Sequence, residues 1–473
     1  MNRIMHRLHN RWKARGGYRE ALNIGMPLVV SMASTTVMMF TDRVFLGRYS
    51  VDAIAAAFPA SIAYFLFYSF FLGTIEYVSV FVAQYTGAGR TDRVGAAMWQ
   101  GVYFCIPATI ILAVLGMVCG DIFALVGHDP ALREMETAYF RTVAMGSGFG
   151  LVGVALSCFY SGRGITKPVM VVNMIAATVN IPLDYMLING KWIFPEMGIT
   201  GAALATVAAY VVTFVLLVKL VFTTDHNKRF NVFSGWRFDR SLFGRFMRFG
   251  LPGGIQFFLD MFAISFFGVM VGKFTLVELA ASNMAISVDT LAFLPAIGMS
   301  IAVSVMVGQA MGSNNLRRAE YALKSVLHLV LLYMGGMGLV FVLAPEFLLG
   351  LFRANGMSDA EFAPILALGV VLMRYVALFT LMDALAIVYM GGLKGAGDTR
   401  FIMWGIGCSS LGVMVVPLIL LYNFTDMNIH GPWLCLLLYV MVLSGLFVWR
   451  FRTGVWKRLR VIDSADVVKT GSA

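Results

Sequence analysis

Asp260 is the only charged residue between Phe249 and Gly272. It lies about eleven residues from either end of that run, hence roughly 16 Å from each at 1.5 Å per helical residue. Asp383 is placed similarly, nine residues after Arg374 and eleven before Lys394, and Asp289 is the only charge between Leu279 and Leu316, with Asn283 nearly two turns earlier. An ionised carboxylate at the centre of a bilayer costs at least about 2.5 kcal/mol. Such a group is retained where it takes up a proton or a cation, or where it is paired. Gln256 precedes Asp260 by one helical turn, so its amide can hydrogen-bond the carboxyl or help coordinate a cation. The competing role for these acids is structural, as partners of Arg374 or acceptors of local hydroxyl bonds.

The first half of the chain carries a different set. Asp42 ends a charge-free run beside Arg43, which allows either an interfacial ion pair or a functional carboxylate. Asn180 and Asp184 straddle Pro182, which lacks a backbone donor and frees a carbonyl nearby. Carboxylate, amide and carbonyl are all oxygen donors, the kind a small hard cation prefers. Glu76 is the lone charge between Ala53 and Gly89, and it is a weaker candidate, as is Asn283.

The elements that must position these groups follow from composition. The 473 residues are 59% hydrophobic and 13% charged, with a mean hydropathy of +0.80, well above a soluble domain. A span needs roughly 20 apolar residues, and the pattern predicts twelve, at 20–48, 52–86, 95–119, 134–161, 167–188, 197–222, 245–273, 277–312, 320–345, 363–393, 400–422 and 430–451. The formal charge of +11 does not point to nucleic acid, because the basic residues cluster at the ends and between the halves. Arg3, Arg7, Arg11, Lys13, Arg15 and Arg19 precede the first span. Lys228, Arg229, Arg237, Arg240, Arg245 and Arg248 lie between the halves or open the second, and Arg450, Arg452, Lys457, Arg458, Arg460 and Lys469 follow the last. With an even number of spans these segments share one side, which the positive-inside rule makes cytoplasmic. The expected organisation is a basic N-terminus (1–19), a six-helix lobe (20–222), a connector (223–244), a second six-helix lobe (245–452) and a tail (453–473).

Five dispersed cysteines form no CxxC pair or even disulfide set, and six scattered histidines form no HExxH motif. Neither favours a metalloenzyme. An intramembrane enzyme would need a nucleophile and base, and His328 is the only histidine well inside a predicted span.

The two halves repeat each other. Gly25, Pro27, Val44, Gly47, Gly73, Ser79, Gln84 and Gly87 recur at a constant offset of 225 as Gly250, Pro252, Val269, Gly272, Gly298, Ser304, Gln309 and Gly312. Each half has six spans, so both enter the bilayer from the same side and are related by an axis along its normal. Glu76 marks a divergence, since its counterpart is Ile301.

In the order and spacing of its motifs the chain resembles the multidrug and toxic compound extrusion (MATE) family. The residues that carry the likeness are Thr41-Asp42 with Val44 and Gly47, Gln84 with Gly87-Ala88-Gly89, Pro252 to Asp260, Gly308-Gln309 with Gly312, Met382-Asp383, and the stretch Leu393-Lys394-Gly395 to Gly397-Asp398-Thr399-Arg400. The resemblance implies an all-α membrane fold of two pseudo-symmetric six-helix lobes arranged in a V. It also implies export of bulky, often cationic organic compounds in exchange for Na⁺ or H⁺. Coupling carboxylates in the first and fifth helices would be Asp42 and Asp184, with Asn180 nearby, and those in the seventh and tenth Asp260 and Asp383; a Na⁺ ion, if that is the coupling ion, would sit at Asp42, Asn180 and Asp184 or at Asp260 and Asp383. An Asp stands in the seventh helix where Glu is common, and the shorter side chain leaves Na⁺ against H⁺ open. No cofactor beyond the coupling ion is expected, and the protein is expected to be a monomer in a bacterial inner membrane. The rival is a flippase for a lipid-linked precursor, which would line its interior with basic rather than acidic residues. Reporter fusions or cysteine accessibility should place both termini on the cytoplasmic side; termini on opposite faces would refute the even span count.

Overall fold

In lipid a backbone must satisfy its own hydrogen bonds, and a helix does so within one segment. Each predicted span is a helix in the computed structural model, which describes residues 9–126, 129–353, 357–425 and 427–463. Arg3, Arg7 and Lys469 lie outside the described residues. Among the described residues twelve helices are long and apolar enough to cross a membrane: α1 (Tyr18–Tyr49), α2 (Val51–Gly87), α3 (Val94–Val126), α4 (Pro130–Ser161), α5 (Lys167–Asn189), α6 (Gly198–Val221), α7 (Arg240–Val271), α8 (Leu276–Gly312), α9 (Leu316–Leu343), α10 (Asp359–Ala396), α11 (Thr399–Phe424) and α12 (His430–Arg452). α2 and α8 each have 37 residues and start and end at the repeat offset.

Helix ends follow local chemistry. Ser358 and Glu361 form a reciprocal capping box at the start of α10, Asp129 caps α4 with Pro130 in its first turn, and α5 stops at Gly190 in the left-handed conformation. These devices satisfy first-turn amides and let the chain reverse without strain. The connector is tied to the start of α3. Trp99 Nε1 donates to Val232 O at 2.7 Å, Arg93 pairs with Asp239 at 3.1 Å, and a Cβ on Gly95 would lie 2.5 Å from the carbonyls of Phe230 and Asn231.

The chain forms two compact units, and the cut does not fall simply at the connector. One unit, the N-terminal unit, contains Pro27–Phe258, Gly312–Asn314 and the tail from Val461. The C-terminal unit contains the chain up to Met26, Leu259–Met311 and Asn315–Arg460. The first turns of α1 thus belong with the second half's helices, and the first turns of α7 with the first half's. Ala21 and Ile24 are buried in the hydrophobic cluster of α7–α12, while Leu242 and Phe246 are buried in that of α2–α6.

Repeated glycines explain these placements. A Cβ on Gly25 would come 2.5 Å from Met299 Sδ, and one on Gly250 would come 3.1 Å from Thr74 O. Met299 and Thr74 are themselves 225 residues apart, so the same approach is made once in each unit. Near the end of the fourth helix of each half, Gly162 would place a Cβ 2.4 Å from Ser79 O and Gly395 one 2.2 Å from Ser304 O. Close helix approach through small residues is the main packing force in lipid, where burial of apolar surface between helices gains little.

α11 passes through a π-helical stretch at Ser410–Val415, and α2 also breaks its regularity. α2 is interrupted at Tyr77, between helical segments ending at Glu76 and starting at Val78, whereas α8 runs unbroken through the equivalent Ile301 and Ala302. On α7, a Cβ at Gly254 would lie 2.1 Å from Thr74 Oγ1 and 2.3 Å from Phe70 O, while Gly268 has nothing within 4 Å. Gly254→Val is expected to destabilise by at least about 1–3 kcal/mol through overpacking and Gly268→Ala to be near neutral. Thermal unfolding followed by size-exclusion chromatography reads both, and equal melting temperatures would refute this packing.

Candidate functional site

α1 and α5 run side by side in the N-terminal unit, clasped at two levels. Asn173 Nδ2 donates to Ser31 Oγ at 2.6 Å, and Phe45 meets Tyr185 edge-on with ring centroids 5.6 Å apart. Between these clasps lie Asp42, Asn180 and Asp184. Asn180 and Asp184 are 1% and 0% exposed, and Asp42 is half-buried. The carboxyls of Asp42 and Asp184 lie against each other, yet no hydrogen bond of normal geometry closes between them. Asp42 Oδ1, both Asp184 oxygens and both polar atoms of Asn180 are buried without a partner. Buried polar groups are nearly always satisfied, and a cluster of unsatisfied ones calls for an ion, a proton or water.

Of the two roles open to Asp42 from sequence, the pair with Arg43 is not the arrangement formed. The Arg43 guanidinium lies over the Phe58 ring, 5.2 Å from its centroid, and the Asp42 carboxyl turns to Asp184. Tyr139 of α4 adjoins both carboxylates.

The C-terminal unit brings a second group together. Tyr439 of α12 donates its hydroxyl to Asp260 Oδ1 at 3.1 Å, and Asp383 faces the charges of both Asp289 and Asp260. α8 and α10 are locked in register farther along by Ser300 Oγ donating to Ile387 O at 2.9 Å, and α12 is anchored to α8 by Trp433 Nε1 donating to Ser282 Oγ at 3.1 Å. Three carboxylates from three helices are thus neighbours. Asp289 and Asp383 keep partial accessibility. Among the described residues no three His, Cys, Asp or Glu side chains converge closely enough to hold a metal ion, so a cation at either centre would also draw on amide, hydroxyl or carbonyl oxygens.

The remaining candidates fall elsewhere. Gln256 is buried one turn before Asp260, but the hydrogen bond that Asp260 accepts comes from Tyr439. Asn283 is exposed on α8 and stands apart from the acids. Glu76 sits at the break in α2. Sequence does not single out Tyr439 or Tyr139: Tyr439 lies in an apolar stretch where no periodicity marks a face, and Tyr139 is a neutral ring among the charged residues Glu136 and Arg141 that open α4.

A family model described as MatE matches residues 27–186 and again 252–420. The two matches start at Pro27 and Pro252, the repeat offset once more, and together span well over half of the chain. The chain belongs to the MATE family of membrane transporters. Two curated MATE relatives show how far the likeness runs. A probable multidrug resistance protein NorM of Bradyrhizobium diazoefficiens is 28% identical over 445 residues, covering 92% of each chain. Multidrug resistance protein PmpM of Pseudomonas aeruginosa is 27% identical over 404 residues, covering 84% of this chain and 83% of its own. The fold matches a solved outward-facing multidrug resistance MATE family transporter of the MOP superfamily with a TM-score of 0.83 at 17% identity, over 95% of this chain and 98% of that one. MATE proteins are transporters rather than enzymes, and the flippase reading gains no support from these relatives.

Tyr439→Phe keeps the ring and removes the one donor to Asp260. Loss of an outer partner of this kind costs about 10–100-fold in ion affinity at ligand sites, and a fall in that range is expected in the ion dependence of transport. An unchanged dependence would show the bond to be idle.

Proposed function

We propose that this MATE protein is a multidrug exporter of the bacterial inner membrane that releases organic, mainly cationic compounds in exchange for H⁺ or Na⁺. The observation that carries the reading is the set of buried, unpartnered atoms on Asp42, Asn180 and Asp184. Three side chains kept unsatisfied inside a membrane helix bundle form a receptor for a small cation that enters and leaves. The acids at Asp260, Asp289 and Asp383 extend the same chemistry to the second half, and the preponderance of acidic over basic groups at mid-span favours cationic cargo.

Exchange requires that ion and substrate stabilise different conformations or compete for the same charges. A proton or Na⁺ bound at Asp42 and Asp184 cancels the negative charge that a cationic substrate would need, so uptake of the ion on the outer side promotes release of cargo there. Inward return of the ion then drives the next export; each elementary charge moved through 100 mV supplies about 2.3 kcal/mol. In this reading both termini are cytoplasmic, as the basic segments beside the first and last spans favour, and the protein works as a monomer.

The test is efflux of a fluorescent organic cation from proteoliposomes with pH and Na⁺ gradients imposed separately. One gradient should drive efflux in the wild type. Asp42→Asn is expected to abolish the dependence of substrate affinity on pH or Na⁺, and Asp260→Asn and Asp383→Asn each to abolish driven efflux with near-normal expression. An Asp42→Asn variant with wild-type ion dependence would remove the first-half centre from the mechanism.

A further inference from the structure

The connector between the halves takes no part in the exchange just described, yet its backbone is fastened at successive points along α3. A short helix, Thr224–Phe230, is capped by Thr223 and ends at Asn231 in the left-handed conformation. Asn227 Oδ1 then accepts from the amides of Phe233 at 2.8 Å and Ser234 at 3.3 Å, which closes the turn. Gly95, Trp99 and Tyr103 lie four residues apart, hence on one face of α3. Gly95 faces the carbonyls of Phe230 and Asn231, Trp99 donates to Val232 O, and Tyr103 donates its hydroxyl to Trp236 O. Phe238 meets the Tyr103 ring edge-on with centroids 5.5 Å apart. The connector therefore runs along α3 for about 12 Å, the helical rise from Gly95 to Tyr103. Arg163, just past α4, ties it from another side, its guanidinium 4.3 Å from the Phe230 ring centroid and 4.2 Å from that of Phe159.

This path sets a depth. α3 has 33 residues, about 50 Å of helix against a hydrocarbon core of about 30 Å. Centred in the bilayer, it leaves about 10 Å outside the core at each end. Gly95 is then level with the headgroups, and Tyr103, about 13 Å along α3 from Val94, is level with the edge of the hydrocarbon. The side chains carried to these levels match them. Phe233, Trp236 and Phe238 are 49%, 60% and 56% exposed, a cluster of aromatic surface that calls for a partner. Lys228, Arg229, Arg237 and Arg240 are exposed beside them, whereas Asp239 is taken by Arg93. Rings at the hydrocarbon edge with cations among the headgroups are the pattern of an interfacial anchor, and an anionic leaflet attracts each basic side chain.

We propose that the connector is a binding surface for anionic lipid: its three exposed aromatics enter the boundary of the inner leaflet, and its four basic side chains hold the phosphates of acidic headgroups. The contacts with α3 and α4 pass this grip to the N-terminal unit, so lipid charge stabilises that unit at a fixed depth. The inference goes beyond the exchange and rests on that reading only for the choice of leaflet, through the cytoplasmic placement of the connector.

The experiment uses the full chain in phosphatidylcholine nanodiscs with rising fractions of phosphatidylglycerol and reads thermal unfolding. The wild type is expected to gain stability with phosphatidylglycerol. Arg237→Gln combined with Arg240→Gln is expected to lose most of that gain, at about fivefold in lipid affinity for each charge removed. Arg317→Gln combined with Arg458→Gln removes the same charge from exposed positions of the C-terminal unit and is expected to keep it. Equal loss in the two pairs overturns the assignment to the connector, as does a wild type that phosphatidylglycerol leaves unchanged. If the first pair does not yield folded protein, Lys228→Gln combined with Arg229→Gln takes its place. Inorganic phosphate added to pure phosphatidylcholine discs should not substitute; a wild type stabilised equally by it binds a free anion, and the lipid reading falls. Depth is read separately, because Trp236→Phe keeps an apolar anchor and removes the fluorophore. Its difference from the wild type should be quenched by lipids brominated near the headgroup end of the acyl chain, and an unquenched difference overturns the insertion. Nanodiscs present both leaflets and none of these readouts involves transport, so failure of the exchange reading would leave the result standing.

Discussion

Two helix backbones can touch only where side chains are missing, and this chain uses that constraint twice at the same register. Gly25 meets Met299, and Gly250 meets Thr74. In lipid no hydrophobic force draws one helix to another, so such close approaches decide which helices associate. Their effect is to hold the first turns of α1 among the second half's helices and those of α7 among the first half's. The remainder of α1 then runs beside α5, and that adjacency brings Asp42 to Asp184. The remainder of α7 runs on among α8, α10 and α12, where Asp260 meets Tyr439 and the acids of its neighbours.

The two carboxylate centres differ in their partners. In the N-terminal unit the acids sit with an amide, and Asp42 Oδ1 and both Asp184 oxygens are left unsatisfied. In the C-terminal unit the seventh-helix acid is held by a tyrosine. An unsatisfied buried centre gains most from binding a proton or a bare ion. Unequal centres suit a protein whose halves share an architecture but have diverged in sequence, as Glu76 and Ile301 already declare.

Much of the fold was legible because the bilayer leaves few alternatives. Apolar length determined twelve helices. The acids at Asp42, Asp184, Asp260 and Asp383 stood out because charge in an apolar run is costly whatever its surroundings. Their companions were hidden. Tyr439 lies in a stretch that is apolar on every side, where hydropathy has no face to report, and Tyr139 stands between Glu136 and Arg141, where a neutral ring adds no charge to mark it. That the Arg43 guanidinium would lie over Phe58 while the Asp42 carboxyl turns to Asp184 is not legible from hydropathy. The break at Tyr77 has no glycine or proline to announce it, and Val461 and Ile462, beyond the last span, gave no sign that they would be buried with the first half's helices.

The exchanged helix starts also constrain ancestry. A repeat running through both halves is the mark of a duplicated unit, and a single copy of that unit would carry a first helix whose opening turns find no surface within it to cover them. Such a copy could bury them only by lending them to a second molecule and accepting that molecule's in return, which is a domain-swapped dimer. Fusion through the connector would then have made permanent an exchange that two separate chains once had to find by collision.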